Sequence, residues 1–342
     1  MTEHAATAVY EKARDISTNE IPVIDIAPMR HGDLRARQTV AAEIARACRE
    51  VGFLYITGHG VAQSLIDDAF AQNKAFFDQP FEARMTSAAT RRQWRGYVPS
   101  KLEGEGGVVG GSVQTFRLML DLPADDPDVL RGKPMHLPNR RVDHLPGFNE
   151  TVQAYMHEMN VLSALLRRAF ALGLGLAEEW FEPFYTRPLI QQSLLYYRPP
   201  KSQRPEDLEI GAGEHRDTGA FTILMQDAVG GLEVGHLEHE WVSAPPIRGA
   251  FVINIGDMMM RWTNGRFRST PHRVVNRADR ARYSMPYFAN PDYDAIIAPI
   301  PSLVEPGTDA AWPPLHFGQF MDDFYAKGMA YLDDLPPEYA DA

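Results

Sequence analysis

Hydrophobic residues follow different spacings in the two halves of the chain. In the first half, apolar residues recur every three to four positions over 34–50, 62–77 and 148–178, which is the period of an amphipathic helix. IPVIDI at 21–26 and GFLYITGHGV at 52–61 are short apolar runs bounded by turn residues, which predicts buried strands. The first half is therefore predicted to be mainly helical.

From residue 188 onward, short β-rich segments alternate with turns. The segments are LIQQSLLYY, FTILMQD, GLEV, EWVSAP, AFVINIGDMMMRW, RSTPHRVV, RYSMPYF and AIIAPI. Short strands at this spacing predict a double-sheet jelly roll or a barrel. A last apolar stretch, HFGQFMDDFYAKGMAYL at 316–332, predicts a closing helix. We therefore predict a mixed α+β fold with helices first, a β core second and a helix last.

No internal repeat and no long linker divides the chain, so we predict one compact unit. It has four parts in chain order, which are a flexible N-terminus at 1–20, a helical region at 21–180, the β core at 181–300 and a closing segment at 301–342.

Composition narrows the possible partners of this unit. The 342 residues carry a net charge of −11 without a long basic run, so neither nucleic acid nor an anionic membrane is expected as a partner. No apolar run is long enough to span a bilayer, and MTEHAATAVYEKARD lacks the pattern of a signal peptide, so we expect a cytoplasmic protein. The only cysteine, Cys48, cannot form an intrachain disulfide or a thiolate-rich metal site, which leaves His, Asp and Glu as metal ligands.

The stretch GEHRDTGAFTIL at 213–224 contains such ligands. His215 and Asp217 are two positions apart, so on a strand they point to the same face. His272 lies near the start of a later predicted strand. Each motif alone is also compatible with a surface or capping pair and with a hydrogen-bonded strand histidine. Together, two imidazoles and one carboxylate on a jelly roll are typical of non-haem Fe(II) sites that leave three positions open, whereas structural zinc sites have four ligands.

A second same-face pair, Arg282 and Ser284, follows His272. A guanidinium and a hydroxyl suit a carboxylate, and an arginine buried in a β core needs an anion. That anion is either a structural Asp or Glu or a dicarboxylic cosubstrate, and beside an iron site we favour the cosubstrate. The segments 254–257 and 263–265 are predicted to be turns, because Gly, Asn and Asp suit tight corners.

This ordered set of motifs resembles the isopenicillin N synthase-like family of Fe(II)/2-oxoglutarate-dependent dioxygenases. The resemblance covers roughly residues 20–330 and is carried by GFLYITGHGV at 52–61, RGYVP at 95–99, HRD at 215–217, NIGD at 254–257, WTNGRFRSTPHRVV at 262–275 and RYS at 282–284. It implies a double-stranded β-helix (jelly roll) core with N-terminal helices and a C-terminal helix, and it makes 181–300 the catalytic core.

The resemblance also implies the cofactors and their ligands. The iron ligands would be His215, Asp217 and His272. The far carboxylate of 2-oxoglutarate would be bound by Arg282, Ser284 and Tyr197. In the family, an Asn-Tyr-Tyr-Pro run often supplies that tyrosine, whereas this chain has LLYYRPP at 194–200, with Leu195 in place of the Asn.

The implied reaction uses Fe(II), 2-oxoglutarate and O₂. It couples oxidative decarboxylation of 2-oxoglutarate to hydroxylation, desaturation or cyclisation of a small molecule, of the kind met in secondary metabolism, and needs no catalytic residue beyond the metal centre. By resemblance and position, five residues are expected to contact the substrate, namely Arg95, Tyr97, Phe116, Arg117 and Phe288.

Two alternatives remain at this point. One is an iron oxidase of the same fold that does not use 2-oxoglutarate, which would form no succinate during turnover. The other is a non-catalytic jelly-roll protein that binds a metal or a small ligand, with a closed zinc site as a variant; its activity would survive Asp217→Ala.

Overall fold

Two β-sheets lie face to face, and helices cover the outer side of the larger one. The computed structural model describes residues 13, 21–90, 93–100, 113–133, 135–200, 210–235 and 240–328. Within these ranges the α-helices are α1 (Ala27–His31), α2 (Leu34–Glu50), α3 (Gln63–Phe77), α4 (Phe81–Met85), α5 (Pro127–Leu130), α6 (Phe148–Gly173), α7 (Asp257–Trp262) and α8 (Phe317–Gly328). None of them combines the length and the apolar character that a bilayer crossing requires.

The strands are assigned to three sheets. In chain order they are β1 (Val23–Asp25), β2 (Phe53–Thr57), β3 (Gly96–Val98), β4 (Val113–Met119), β5 (Gln191–Tyr197), β6 (Ile210–His215), β7 (Phe221–Gln226), β8 (Leu232–Gly235), β9 (Trp241–Ser243), β10 (Phe251–Ile255), β11 (His272–Val275), β12 (Arg282–Phe288), β13 (Ile296–Ile297) and β14 (Leu315–His316). The large sheet has the order β1-β2-β10-β7-β12-β5-β4-β3, the small sheet has the order β6-β11-β8-β9, and β13 pairs with β14.

Each face of the large sheet packs against a separate apolar cluster. One cluster joins its outer face to α2, α3 and α6. A smaller cluster fills part of the space between the two sheets and includes Phe53, Val234, Val252 and Val274. Two facing sheets with helices before and after them confirm the predicted mixed α+β fold with a jelly-roll core.

The helix α2 shows how local sequence sets these elements. Asp33 caps its N-terminus by accepting a hydrogen bond from the Ala36 amide at 2.8 Å, and Ile44 lies on its fully buried face. Gly52 follows the helix with φ +76°, and a Cβ there would lie 2.3 Å from the carbonyl oxygen of Arg268. A residue without a side chain is therefore needed to turn the chain from α2 into β2.

Several predicted elements differ from the structure. AFVINIGDMMMRW is not one strand, because α7 begins directly after β10 at Asp257. The strand β6, IGAGEH, was not predicted, since two glycines interrupt its apolar pattern. The first half contains more strand than predicted, because β3 and β4, which were not predicted, join the predicted β1 and β2 in the large sheet. The strands β4 and β5 are neighbours in the large sheet, although they lie on either side of residue 180. The four-part division therefore remains a proposal about the order of segments along the chain. Of residues 1–20, only Ala13 belongs to the described residues.

Candidate metal centre

The pairing of β6 with β11 brings two histidines together. His215 ends β6, His272 begins β11, and the two are register partners. Their ring centroids are 4.2 Å apart. Asp217 follows directly after β6, and one ligand atom from each of the three side chains lies within 4.8 Å of the others. The three predicted metal ligands thus form one cluster, in which Asp217 and His272 are buried and His215 is exposed.

Backbone carbonyls orient both imidazoles. Nδ1 of His215 lies 2.7 Å from the carbonyl oxygen of Gly213, and Nδ1 of His272 lies 3.3 Å from that of Thr270. A carbonyl oxygen only accepts, so Nδ1 carries the proton in each ring and Nε2 presents a lone pair to Asp217. Each Nε2 lies 3.7 Å from Oδ1 of Asp217, which is too long for a hydrogen bond. The ligand atoms of the three side chains therefore face one another without a hydrogen bond between them.

Two donors hold the carboxylate of Asp217 from its other side. Its Oδ2 accepts a hydrogen bond from the Thr222 hydroxyl and another from Nδ2 of Asn254 at 2.7 Å. These bonds leave Oδ1 directed at the histidines. Asn254 was predicted to belong to a turn, but it is a residue of β10 and positions the Asp217 carboxylate. The alternation of FVINI, which puts Asn254 on the same face as Val252, was the signal that could have identified it.

The loop that carries Asp217 is fixed by the start of α7. The Asp257 amide donates to the carbonyl oxygen of Asp217 at 2.8 Å, and the Met258 amide donates to that of Gly219 at 3.0 Å. Gly256 makes this contact possible, because a Cβ there would lie 2.3 Å from the Gly219 carbonyl oxygen. The NIGD segment is therefore a support of the metal loop as well as a corner.

Burial and charge set the protonation of the ligands. Burial lowers the pKa of His272 to about 4, so this imidazole is neutral at pH 7. Burial alone would raise the pKa of Asp217, but the two histidines and the donors Thr222 and Asn254 outweigh it and hold that pKa below its usual value. A neutral imidazole and an ionised carboxylate are the forms that bind metals.

This donor set fits Fe(II). Two imidazole nitrogens and one carboxylate oxygen on one face are the ligands of non-haem Fe(II) oxygenase sites, which keep further positions for O₂ and a cosubstrate. A cation would also relieve the repulsion between the facing ligand atoms. Among the described residues, no fourth His, Cys, Asp or Glu joins the cluster, so the described part of the chain does not support a closed zinc site.

A cavity of about 280 Å³ between the two sheets connects the cluster to Arg282. The Arg282 side chain is 0% exposed and donates to the Gly230 carbonyl at 2.5 Å, to Oγ of Ser284 at 3.0 Å and to Oε1 of Gln226 at 3.3 Å. None of the ion pairs among the described residues includes it. Such a guanidinium is costly to bury unless an anion binds it.

The neighbouring Asp227 forms no ion pair with Arg282. Burial raises the pKa of Asp227, although hydrogen bonds and Arg282 act against that rise. Its carboxylate accepts hydrogen bonds from the amides of Tyr283 at 2.7 Å and Val229 at 2.9 Å. Asp227 is therefore engaged with the backbone, and the cavity side of Arg282 remains for a ligand.

Tyr197 contacts Arg282 through its ring. The guanidinium carbon lies 4.6 Å from the ring centroid, and the two residues are register partners on β5 and β12. Leu195 is the partner of Ser284 and contributes an apolar wall to the cavity. The predicted contact of Tyr197 with 2-oxoglutarate stays a prediction, and the structure adds that Tyr197 stacks on the guanidinium.

Of the five predicted substrate residues, two line the cavity and three do not. Phe288 and Arg117 line the cavity. Arg95, Tyr97 and Phe116 do not line it, so their contact with the substrate stays a prediction. The Arg95 guanidinium donates to the carbonyls of Leu120, Met135 and Leu137, while Tyr97 and Phe116 are 0% exposed and pack on Phe76 of α3.

Strand parity explains this division. Successive side chains of a strand point to opposite faces. On β4, Val113, Thr115 and Arg117 face the cavity, whereas Phe116 joins the cluster against the helices. Tyr97 is the β3 partner of Phe116 and points the same way. Ser193 of β5, which was not predicted, is the partner of Arg117 and also lines the cavity.

Two family models match the chain. Residues 189–291 match the 2OG-Fe(II) oxygenase superfamily, and residues 21–144 match the N-terminal region of non-haem dioxygenases described from morphine synthesis. The first match contains all three residues of the metal cluster together with Arg282 and Ser284.

Individual proteins are similar over most of the chain. A "probable iron/ascorbate oxidoreductase" of Dictyostelium discoideum is 35% identical, with 83% of this chain and 85% of that protein covered. A 1-aminocyclopropane-1-carboxylate oxidase of Dictyostelium mucoroides is 32% identical, with 84% and 86% covered. The crystal structure of T7H from Neurospora crassa in complex with alpha-KG (2-oxoglutarate) and thymine superposes with a TM-score of 0.80 at 26% identity, covering 92% of this chain and 99% of that one.

Proposed function

This chain belongs to the 2-oxoglutarate- and Fe(II)-dependent oxygenases, and on that premise we propose that His215, Asp217 and His272 bind the iron while Arg282 and Ser284 bind the far carboxylate of 2-oxoglutarate. As a member of this family, it is an enzyme that couples oxidation of a small molecule to oxidative decarboxylation of 2-oxoglutarate, with O₂ as the other cosubstrate. The assignment of individual residues is our proposal.

The observation that carries the proposal is that two incomplete sites share one cavity. The metal cluster has three ligand atoms that face one another, and Arg282 is a fully buried cation outside all ion pairs of the described residues. A divalent cation completes the first site, and a carboxylate completes the second. 2-Oxoglutarate can satisfy both, because its 2-oxo acid end chelates a metal and its other end is a carboxylate.

When bound, Fe(II) and 2-oxoglutarate together supply the oxidising chemistry that activates O₂. The residues of the chain bind, orient and exclude water. Thr222 and Asn254 hold Asp217 so that one carboxylate oxygen remains for the metal. Gly230, Gln226 and Tyr197 hold the Arg282 guanidinium in one orientation.

The wall of the cavity limits access of water to the reacting atoms. The apolar residues of that wall include Phe53, Leu195, Leu224, Leu232, Val274 and Phe288. Excluding water in this way protects a reactive centre from side reactions. Phe288 is the register partner of Thr222, the donor to Asp217, so it lies at the metal end of the cavity. We propose that the substrate packs on Phe288.

The proposal is tested by anaerobic titration with Fe(II), with and without 2-oxoglutarate. The weak visible charge-transfer band of the chelated complex should form in the wild type and be absent in His272→Ala. Arg282→Gln should still bind Fe(II), but it should need more than about 100-fold more 2-oxoglutarate, because losing one partner of a buried ion pair costs about 3–5 kcal/mol.

Arg95→Gln is a matched control for Arg282→Gln. Arg95 is also buried and also donates to carbonyl oxygens, but it lies outside the cavity, so this variant should give the wild-type band. Iron binding without a band would favour an oxidase that does not use 2-oxoglutarate. Failure of the wild type to bind iron would refute the metal assignment, and retained activity in Asp217→Ala would favour the non-catalytic alternative.

We further propose a cytoplasmic enzyme of secondary metabolism. A reducing compartment keeps iron in the Fe(II) state and is compatible with the free, buried Cys48. The relatives whose names print a small-molecule ligand or substrate, 1-aminocyclopropane-1-carboxylate and thymine, support a small-molecule substrate. Fractionation of cells that express the tagged chain, with measurement of succinate release in each fraction, tests the location.

A further inference from the structure

A second guanidinium lies in the same cavity, and the proposed function gives it no role. Among the described residues, the Asp and Arg side chains that line the cavity are Asp217, Arg282 and Arg117. Arg117 lies on β4, two strands away from β12, which is about 10 Å across a sheet. Its register partner is Ser193, not a residue of the 2-oxoglutarate end. Arg117 is therefore a separate cation within one cavity.

No group among the described residues neutralises Arg117. It is absent from their hydrogen bonds and ion pairs, and its Nε is buried without a hydrogen-bond partner. Its close neighbour is the ring of Tyr325 on α8, whose centroid lies 5.9 Å from the guanidinium carbon. The Tyr325 hydroxyl donates to Oε1 of Gln191, and burial raises the pKa of Tyr325. Tyr325 is therefore a neutral phenol and supplies no negative charge.

The other ligands of the cavity do not neutralise Arg117 either. In the proposed complex, the two carboxylates of 2-oxoglutarate and the carboxylate of Asp217 carry three negative charges. Fe(II) and Arg282 carry three positive charges. The complex is balanced without Arg117, so one positive charge remains in the cavity, on a half-buried side chain whose Nε is fully buried without a partner.

Ser193 adds a hydroxyl donor next to this cation. As cross-strand partners, Arg117 and Ser193 have their Cβ atoms about 5 Å apart. Oγ of Ser193 accepts a hydrogen bond from Nε2 of Gln191 at 2.9 Å, which leaves the hydroxyl proton of Ser193 to be donated. Ser193 is 1% exposed and lines the cavity. A guanidinium and a hydroxyl side by side repeat the arrangement of Arg282 and Ser284.

We propose that Arg117 and Ser193 bind a carboxylate of the substrate, and that the enzyme acts on monoanionic organic acids with an apolar body. This inference rests on the proposed function, because the charge count includes Fe(II) and 2-oxoglutarate. In the register of the sheet, Arg117 pairs with Ser193, and Ser193 lies opposite Pro286 of β12. Pro286 precedes Phe288 by two residues, so the two side chains lie on the same face of β12. An acid anchored there extends its apolar part over Phe288 toward the metal ligands.

The test compares acids with their own amides, which have the same shape without the charge. The probes are phenylacetate and phenylacetamide, cyclohexanecarboxylate and its carboxamide, and hexanoate and hexanamide. Dissociation constants are measured by anaerobic calorimetry on the full chain with Fe(II) and saturating 2-oxoglutarate, so that Arg282 is occupied. At least one acid should bind the wild type more than about tenfold more tightly than its amide, as expected for a charge-assisted, bidentate contact.

Substitutions show which residues cause the preference for an acid over its amide. Arg117→Gln should reduce the preference to less than about threefold, and Arg117→Lys should retain part of it, since lysine keeps the charge but not the fork. Ser193→Ala should weaken acid binding by several-fold, as for one lost hydrogen bond. Arg141→Gln is the control, because Arg141 is 62% exposed and pairs with Asp143 on the surface, and it should leave the preference unchanged.

The outcomes separate this inference from the proposed function. The inference is overturned if no acid binds the wild type more tightly than its amide, or if Arg117→Gln keeps the wild-type preference. The charge-transfer band, recorded in the same samples, reports on the proposed function independently. If the band forms and the acids show no preference, only the inference is wrong. If the band does not form, the proposed function is wrong, while the difference between wild type and Arg117→Gln still decides whether Arg117 binds the acids.

Discussion

The hydrogen bond from Asn254 to Asp217 makes a quantitative prediction about metal affinity. Replacing Asn254 with Ala removes one of the two donors to Oδ2. Outer partners of metal ligands typically change affinity by about 10–100-fold, or about 1.4–2.8 kcal/mol. Because Thr222 remains as the second donor, we expect the dissociation constant of Fe(II) to rise by about tenfold. In the double variant Asn254→Ala/Thr222→Val, Asp217 has no side-chain donor, and the rise should approach about 100-fold.

Stability must be separated from affinity, because Asn254 is buried and its loss also costs about 1–3 kcal/mol of unfolding free energy. Asn276→Ala is the matched control. Asn276 is 3% exposed and donates to the carbonyls of Arg198 at 3.2 Å and Arg280 at 3.0 Å, outside the cavity. It should lower the melting temperature of the metal-free protein to a similar extent and leave Fe(II) affinity unchanged.

The assay is anaerobic titration of metal-free protein with Fe(II) against a competing chelator, together with thermal unfolding of the same metal-free samples. If Asn254→Ala and Asn276→Ala bind Fe(II) with constants that agree within about twofold, the Asn254 amide does not position the ligand. A double variant no weaker than Asn254→Ala would refute the idea that Thr222 is the second donor.

Three further changes are expected to have measurable effects. Gly256→Ala should weaken Fe(II) binding and lower the melting temperature, because its Cβ would lie 2.3 Å from the Gly219 carbonyl that anchors the metal loop, whereas Gly249→Ala, with open space at its Cβ but a positive φ, should affect stability alone. Tyr197→Leu should weaken 2-oxoglutarate binding by about 2–10-fold through the lost cation–π contact, and Tyr197→Phe should restore it. Burial holds the pKa of His59 below its usual value, so at acidic pH the unfolded chain binds more protons than the folded one. The free energy of unfolding therefore keeps its full value above the unfolded pKa of His59 and falls as the pH drops below it. His59→Gln should therefore lose less melting temperature between pH 7.5 and 5.5 than the wild type, and an equal loss would contradict this role of His59.

The residues that we propose to bind the metal and the cosubstrate could be identified from sequence because chemistry restricts their type. Few side chains bind Fe(II), and His215, Asp217 and His272 are the types it needs, placed at the ends of predicted strands. Arg282 could be identified for a similar reason, since an arginine in a buried strand needs an anion. The glycines of β6 hid that strand, yet the ligand at its end remained visible. These residues are identified from their types and their spacing along the chain, and the position of each strand in the sheet is not needed for this.

The substrate side could not be predicted in the same way, because it depends on strand parity and on contacts between distant segments. Tyr97 and Phe116 were expected in the cavity and pack against the helices, while Arg117, next to Phe116, does face the cavity. A shift of one residue along β4 reverses this assignment, and no periodic pattern in VQTFRLM sets the register. Asn254 was missed for a related reason, since NIGD matches a turn, and its contact with Asp217 arises only when β10 pairs with β7.

The two arginine–serine pairs of the large sheet are proposed to bind different molecules. Arg282 and Ser284 lie on the same strand, and their proposed partner is the cosubstrate of the reaction, so this requirement is met within a few residues. Arg117 and Ser193 lie on different strands, β4 and β5, and meet only through register. A change of side chain at Arg117 leaves the proposed metal ligands and the Arg282 pair untouched, because none of them lies on β4. Substrate choice can therefore vary at Arg117 and Ser193 while the residues proposed for the oxidising chemistry stay constant, and exchange of Arg117 should change which molecules bind without changing how 2-oxoglutarate binds.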